Sequence, residues 1–389
     1  MNALFIGHTY IDVTMRTDYM PVGDDKAVAK DYAVSFGGNA VSAAFACARL
    51  GCKADLIAPV ADDWLGHMFT HMAATYRVRL HPRKVRRSSL SFILPKAGKR
   101  AILRARDETY LEDFPRLDLT GFAALHLDGH MSDAALHYAH LAREKGVLTS
   151  LDGGGLRPNT EELLGLTDVA VVAERLCEQM KLSEQDMLDY LKSRGCKIGG
   201  VTSGERGMLW YDEKGVVSRL RALPVPPDRV IDTSGAGDIF HGAYIASYLE
   251  RPQAPWAEHF RFARAASAHK VQHLGNEAGL PTQAIQQADL NAHLAKAHAT
   301  LTQLADGQVQ GQGGAQGQGK GLGNNPGGAG GGGNSAFGLQ GGNSAMAGGI
   351  SAAVVTPPAV MTGAGNAVAN AGGNGPANGN GNNGYGRRP

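Results

Sequence analysis

No stretch of this 389-residue chain carries the roughly 20 consecutive apolar residues that a bilayer-spanning helix needs. Its start, Met1-Asn2-Ala3-Leu4-Phe5-Ile6-Gly7, has no basic leader. The apolar run there stops after Ile6, short of the ~7–15 residues of a secretory signal. The four cysteines, Cys47, Cys52, Cys177 and Cys196, form no CxxC pair and lie in core-like segments, as free buried thiols in a reducing cytoplasm would. A charge excess is also missing. Lys and Arg number 38 against 36 Asp and Glu, a formal net charge of +2. A dedicated duplex-DNA binder would gather a basic excess on one face. These absences predict a cytoplasmic protein with neither a nucleic-acid nor a membrane partner.

Glycine is abundant but unevenly spread. Of 53 glycines, 28 fall in residues 301–389 and 25 in residues 1–300, so the body sits near the ~7% background while the remainder is close to collagen-like richness without its repeat. A body of residues 1–304 is long enough to remove ~75% of the unfolded chain's surface from water. Residues 305–389 are mostly Gly, Asn, Ala and Gln, with Asp306, Lys320, Arg387 and Arg388 as the only charges. Such a tail buries too little apolar surface to offset backbone ordering and is expected to be disordered. A GxGxxG match within Gly327–Gly333 is an accident of composition, and neither arginine lies in an RGG repeat.

Within the body, short apolar runs alternate with helix-period segments, the pattern of an α/β domain on a mainly parallel sheet. Ala3–Gly7, Asp55–Val60, Ala123–Asp128, Leu148–Asp152, Val169–Val172 and Ile198–Thr202 are predicted strands. Ser132–Lys145 is a predicted helix with Ser132 as cap, Asp133 in its first turn and Gly146 as its stop. Ser183 opens another that ends at Gly195, and Ile239–Leu249, Trp256–His273 and Thr282–Leu304 follow. Two stretches break the rhythm: the alternation in 16–35 and the hairpin in 88–104 around Lys96-Ala97-Gly98-Lys99. They predict a small β lid beside the crevice at the strand ends, where open α/β sheets bind ligands; an ordinary edge hairpin is the plainer alternative.

The densest chemistry lies in Asp232-Thr233-Ser234-Gly235-Ala236-Gly237-Asp238-Ile239-Phe240-His241-Gly242, which follows a β-like run, Arg229–Ile231, and leads into a helix. Gly235 and Gly237 let the backbone turn tightly and expose successive N–H groups. At a helix N-terminus those donors suit a phosphate. Asp238 cannot be there to hold that phosphate, because two anions repel. Its fitting role is to accept the proton of an incoming hydroxyl beside a transferring phosphoryl group. A glycine-rich turn with an ordinary first-turn Asp is the alternative.

Asp232–Asp238 resembles the second signature of the PfkB/ribokinase family of sugar and nucleoside kinases, and Gly37-Gly38-Asn39-Ala40, with the small-residue helix to Leu50-Gly51, resembles the first. Asp12 resembles the family's sugar-hydroxyl acid, and Thr202-Ser203-Gly204-Glu205-Arg206-Gly207 its TxGxxG nucleotide loop. The resemblance runs from Leu4 to Leu304. It implies a ribokinase-like α/β fold: a doubly wound, mainly parallel sheet with helices on both faces and a small β lid. It implies transfer of the γ-phosphoryl group of Mg-ATP to a hydroxyl of a sugar or sugar derivative. Asp238 would be the base, and the amides of Gly235, Ala236, Gly237 and Asp238 the anion hole. Asp12, Gly37, Gly38 and Asn39 would hold the acceptor; Thr202, Ser203, Gly204 and Gly207 would line the nucleotide. A monovalent cation such as K⁺ would sit at Asp232 and Ser234, and two copies would pair through the lid.

Where many members carry Asn-x-x-Glu on the metal and water network, this chain has Ala173 and Leu176. Neither side chain offers the oxygen that a hydrated Mg²⁺ favours, which makes Glu174 or Glu178 the compensating candidate. Leu151-Asp152-Gly153-Gly154, the lost Asn-x-x-Glu and Gly237–Gly242 resemble the branch containing the sulfofructose kinases. That branch's sulfonate arginine is replaced here by His130, a poor substitute for a guanidinium fork. A sulfosugar kinase is therefore an alternative reading, with His126 and His130 at the substrate crevice. A non-catalytic sugar- or nucleotide-binding relative is a second, and an assembly protein organised by the tail a third. His67 and His71, four apart but without a third ligand, read as surface or packing residues. Arg83, Lys84, Arg86 and Arg87 read as a solvated face, or as attraction for an anionic substrate.

Overall fold

The computed structural model describes residues 1–283 apart from 18, 20, 21, 97 and 98. All of them belong to the first of two compact units, Met1–Gln316. The predicted helix Thr282–Leu304 beyond its first two residues, the tip of the 96–99 turn and the tail 305–389 lie outside the described residues.

In chain order the elements are β1 (Asn2–Ile6), β2 (Tyr10–Arg16), β3 (Asp31–Gly37), α1 (Asn39–Arg49), β4 (Lys53–Ala61), α2 (Trp64–Thr75), β5 (Val78–Val85), β6 (Leu90–Lys96) and β7 (Lys99–Ala105). There follow β8 (Phe122–Leu127), α3 (Ser132–Lys145), β9 (Leu148–Gly153), α4 (Thr160–Leu164), β10 (Val169–Ala173), α5 (Glu174–Met180), α6 (Glu184–Ser193), β11 (Ile198–Thr202), β12 (Met208–Tyr211), β13 (Val217–Leu220), α7 (Ala236–Glu250) and α8 (Trp256–Lys270). Nine strands form the main sheet in the order β13-β12-β11-β10-β9-β8-β1-β4-β5. The seven from β11 to β5 are parallel, and β12 and β13 turn antiparallel at one edge.

Strand β1 explains why helices cover both faces. Ala3, Leu4, Phe5 and Ile6 are all fully buried, and successive strand side chains point to opposite faces. Ala3 and Phe5 join the core built with α1, α2, α7 and α8, whereas Leu4 and Ile6 join the core built with α3, α5 and α6. A parallel sheet buried on both sides needs this doubly wound arrangement.

The second sheet has the order β3-β2-β6-β7. It is the small β sheet predicted from the alternation, with shifted bounds: its first strand starts at Tyr10, and 17–30 is a connection in which Gly23 takes φ +62°. Registers align Ser35, Asp12, Ser91 and Arg104 in one cross-strand row and Val34, Val13, Phe92 and Leu103 in the next. Ser35, Asp12 and Ser91 are buried while Val34, Phe92 and Leu103 are exposed, so the first row is the inner one.

Several local readings need correction. Ser132 is the first helical residue of α3, not its cap; Met131, at φ 50°, occupies the cap, while Gly146 stops the helix at φ 66°. The run Arg229–Ile231 is no strand. Pro224, Pro226 and Pro227 remove ladder donors, a 3₁₀ turn spans Pro227–Arg229, and Ile231 and Asp232 both donate to the Val271 carbonyl. Arg83 is not solvated. It is buried in a two-pronged pair with Asp133 (2.9 and 2.7 Å) and stacks 3.7 Å from the Tyr110 ring centre, clamping β5 to α3. His67 and His71 are exposed on α2, with His67 3.0 Å from Asp62.

Candidate active site

The glycine turn before α7 shapes the candidate anion site. Gly235 takes φ 72°, and a β-carbon there would fall 2.2 Å from Asn276 Oδ1, so both conformation and space demand glycine. The first intrahelical bond of α7 runs from the Ile239 amide to the Gly235 carbonyl at 2.9 Å. Among the described residues the amides of Gly237 and Asp238, in the first turn, have no protein acceptor. These orphan donors sit at the positive end of a 15-residue helix. A β-carbon on Gly237 would meet nothing, so the cradle is open. It fits the phosphate chain of a nucleotide.

Carboxylates crowd the same end of the sheet. Asp128 and Asp152 lie at the carboxyl ends of β8 and β9, and Asp238 is half-buried in the first turn of α7. Burial, then the neighbouring Asp152 charge, pushes the Asp238 carboxyl up to about 7, while Arg100 and Arg104 oppose the shift. Burial likewise raises Asp152 to about 7. Asp152 Oδ2 accepts from Asn39 Nδ2 at 3.1 Å, which joins the start of α1 to β9. Beneath it a buried chain runs from Asp152 to His241 (3.7 Å), to the Tyr244 hydroxyl (2.8 Å), to Ser150 (2.6 Å) and to His126 (3.0 Å). His126 is thus a support under the site.

On the acceptor side, Asp12 lies against bare α-carbon: a β-carbon on Gly37 would fall 2.2 Å from Asp12 Oδ2. Gly38, at φ +107°, would drive a β-carbon to 1.9 Å from the His8 carbonyl oxygen. Burial pushes Asp12 up to about 6, with Asp238 and Asp232 adding and Arg104 opposing. The structure therefore brings Asp12, Gly37, Gly38 and Asn39 together with Asp152 and Asp238. His130 is buried, its amide donating to Asp128 Oδ1 at 2.9 Å. Burial, with Arg157, Arg106 and Arg104 nearby, holds its imidazole neutral. Arg104 stacks 4.9 Å from the Tyr10 ring centre, Arg106 donates to the Tyr10 hydroxyl at 2.6 Å, and Arg100 reaches the Thr233 hydroxyl at 3.4 Å.

Thr202, Ser203, Gly204 and Gly207 form a tight loop at the carboxyl end of β11, closed by the Ser203 amide donating to the Gly207 carbonyl at 2.8 Å. Ser203 donates to Glu184 at 2.6 Å, and Glu184 also holds Arg219. Glu174 pairs with Arg206 of this loop, and Glu178 is exposed on α5. Leu176 is fully buried under Gly153, a core position rather than one facing a phosphate. Among the described residues no three His, Cys, Asp or Glu side chains gather as a metal cage.

Asp232 differs from expectation. Its Oδ1 accepts from the Ser234 amide at 2.8 Å, and its Oδ2 accepts from the Gly275 amide at 3.1 Å and from Lys270 Nζ at 3.2 Å. The cation expected at Asp232 and Ser234 meets a protein ammonium already seated there.

A doubly wound sheet whose carboxyl edge carries helix-start amides and a half-buried carboxylate, beside a small second sheet, is an arrangement suited to phosphoryl transfer. Residues 2–283 match the profile of the pfkB family carbohydrate kinases, and the chain belongs to that family. It is 23% identical over 295 residues to a ribokinase of Haemophilus influenzae, covering 71% of this chain and 94% of that protein. It is 27% identical over 299 residues to a fructokinase of Solanum tuberosum, covering 69% and 91%. Among solved structures, Arabidopsis thaliana ribokinase complexed with ribose and ATP superposes with a TM-score of 0.64 at 20% identity, covering 74% of this chain and 98% of that one. The protein is a carbohydrate kinase of ribokinase-like fold.

The sequence reading gave no role to Asp128, Arg104, Arg157, Asn276 or Lys270. Asp128 had a signal, an apolar strand ending in a carboxylate, since carboxyl ends of parallel strands carry the site in such sheets. The others depend on long-range packing and had none.

Proposed function

We propose that the protein transfers the γ-phosphoryl group of ATP to a hydroxyl of a sugar, with Asp238 as the general base. The carrying observation is the Asp238 carboxylate beside the unpaired amides of Gly237 and Asp238. Raised toward neutrality, Asp238 is a base matched to physiological pH. It takes the proton of the acceptor hydroxyl, while the Gly237 and Asp238 amides hold the negative charge that builds on the phosphoryl oxygens; the Ala236 amide, expected to join them, donates to the Thr233 carbonyl at 3.4 Å. Asp12 and Asn39 orient the acceptor, Asn39 being fixed by Asp152. Thr202, Ser203, Gly204 and Gly207 line the nucleotide. Mg²⁺ would supply charge neutralisation on the phosphates of Mg-ATP; Leu176 is in the core and Glu174 is engaged by Arg206, so neither would hold the free ion.

One observation favours a narrower acceptor. Arg157, Arg106 and Arg104 lie near the buried His130, which suits a sugar carrying an anionic substituent, a sulfosugar included. The deciding experiment incubates the purified protein with Mg-ATP and a panel of neutral ketoses and pentoses, sugar acids, sugar phosphates and sulfosugars, reading ADP release. At least one acceptor should release ADP. Asp238→Asn should lower that rate by about 10²–10⁴-fold with ATP binding retained. Sugar binding without ADP release from any acceptor would instead support a non-catalytic relative.

The lid's outer row of Val34, Val13, Phe92 and Leu103 supports pairing of two copies through this sheet. Sedimentation of wild type against Leu103→Lys tests it. A wild-type dimer that the lysine dissociates is expected; a wild-type monomer removes the proposal.

A further inference from the structure

Lys270 ends α8 with no exposure to solvent. Its ammonium donates to the Asp232 carbonyl at 3.1 Å, to Asp232 Oδ2 at 3.2 Å and to the His273 carbonyl at 3.3 Å. Three acceptors exhaust the three N–H donors of an ammonium. The position is built, not incidental. A β-carbon on Gly279 would fall 2.2 Å from Lys270 Cδ, so the lysine stem lies along bare α-carbon. Gly275, at φ +73°, turns its amide onto the same carboxylate oxygen at 3.1 Å.

The resemblance to sugar kinases assigns a monovalent cation to Asp232 and Ser234, and the residues present do not fit one. An ion drawn to the Asp232 carboxylate and carbonyl would touch a like charge that cannot leave. We infer that the Lys270 ammonium takes the place of that ion, so that phosphoryl transfer by this protein needs no added monovalent cation. The ammonium neutralises Asp232, and Asp232 Oδ1 holds the Ser234 amide at 2.8 Å, one residue before the turn whose amides form the anion cradle. Lys270 is thus a positioning residue. It fixes the shape of the Asp232–Gly235 turn and, with Asp232 opposing the deprotonation that burial favours, places a positive charge behind the developing phosphoryl charge.

The test measures melting temperature, ATP affinity and, with the acceptor found in the sugar panel, initial rate. Measurements are made with tetramethylammonium as the only monovalent cation and again with KCl at equal ionic strength. Wild type should give the same values in both buffers. Lys270→Ala empties the ammonium position. It should melt about 10 °C lower and lose about 10²-fold in kcat with less change in acceptor KM. K⁺ should restore both in this variant only. Lys270→Met, whose side chain still fills the space beside Gly279, should lose rate without K⁺ rescue. A wild-type rate or melting temperature raised by K⁺ overturns the inference, as does a folded Lys270→Ala protein that keeps full rate or ignores K⁺. If neither variant folds, the wild-type comparison decides alone. The melting arm needs no acceptor, so a failure of the sugar-kinase reading leaves it intact.

Discussion

A carboxylate placed against an anion cradle is a base only while it is deprotonated, and burial and Asp152 both favour its protonated form. The sign is therefore fixed: kcat should be low in acid and rise with pH through about 7 as Asp238 loses its proton. Asp152→Asn removes one of the charges holding that proton on. It should move the acid limb of the kcat profile to lower pH by about one unit; an unmoved limb would detach Asp152 from the titration. On the function proposed above, Asp12 acts on binding instead. Its carboxylate sits on the inner row of the lid sheet, and losing one charged hydrogen bond costs about 1–3 kcal/mol. Asp12→Ala should weaken sugar binding by that amount in titration calorimetry and leave ATP affinity unchanged. Equal loss for both ligands would mean a folding defect.

At the scale of elements, what could be read from the sequence is what depends on local pattern. The six predicted parallel strands exist because runs such as Ala3–Ile6 and Val169–Val172 are apolar at every position, as burial on two faces requires. The Ser183 cap was equally local, and the side chains of Ser183 and Asp186 form a reciprocal capping box. What failed turned on partners far away in the chain. Arg83 looked solvated because Asp133, its ion-pair partner, lies fifty positions on. The burial of Leu176 of α5 under Gly153 of β9 is likewise a contact that its own segment does not announce. The junction of α1 and α7 is also of this kind. A β-carbon on Gly242 would fall 2.2 Å from the Ala43 carbonyl oxygen and 2.8 Å from Ala46 Cβ. Since α1 starts at Asn39 and α7 carries Asp238, the two helices set the spacing between acceptor and base. Gly242→Ala should cost about 1–3 kcal/mol by overpacking and lower kcat more than ATP affinity. A variant that melts and turns over like wild type would show that the helices have room.

For the molecule as a whole, the fold and the four motifs were readable because each is a local run of sequence, whereas the ionisation energetics depend on the finished interior. Residues 306–389 offer little apolar surface, so a protein ending at 305 should keep the melting temperature and kinetic constants of the full chain; a marked fall in either would move the domain boundary. The site should also weaken the fold that holds it. In the folded protein Asp238 keeps its proton up to about 7, against 3.8 for an ordinary Asp. Between those values the folded state binds more protons than the unfolded chain, so this group's contribution falls as pH rises and is lost above about 7. Full burial would make that loss about 4 kcal/mol; because Asp238 is half-buried and water screens part of its charge, about 2 kcal/mol is the better expectation. Asparagine has no such titration. The buried histidines His8, His130 and His241, held neutral, give an opposite slope in acid, but they are common to both proteins and cancel in the difference. The melting temperature of Asp238→Asn minus that of wild type should therefore be near zero around pH 4 and reach roughly +5 °C by about pH 8. A difference that stays constant across that range, or turns negative at the alkaline end, would mean that the carboxylate is not held at a cost to stability.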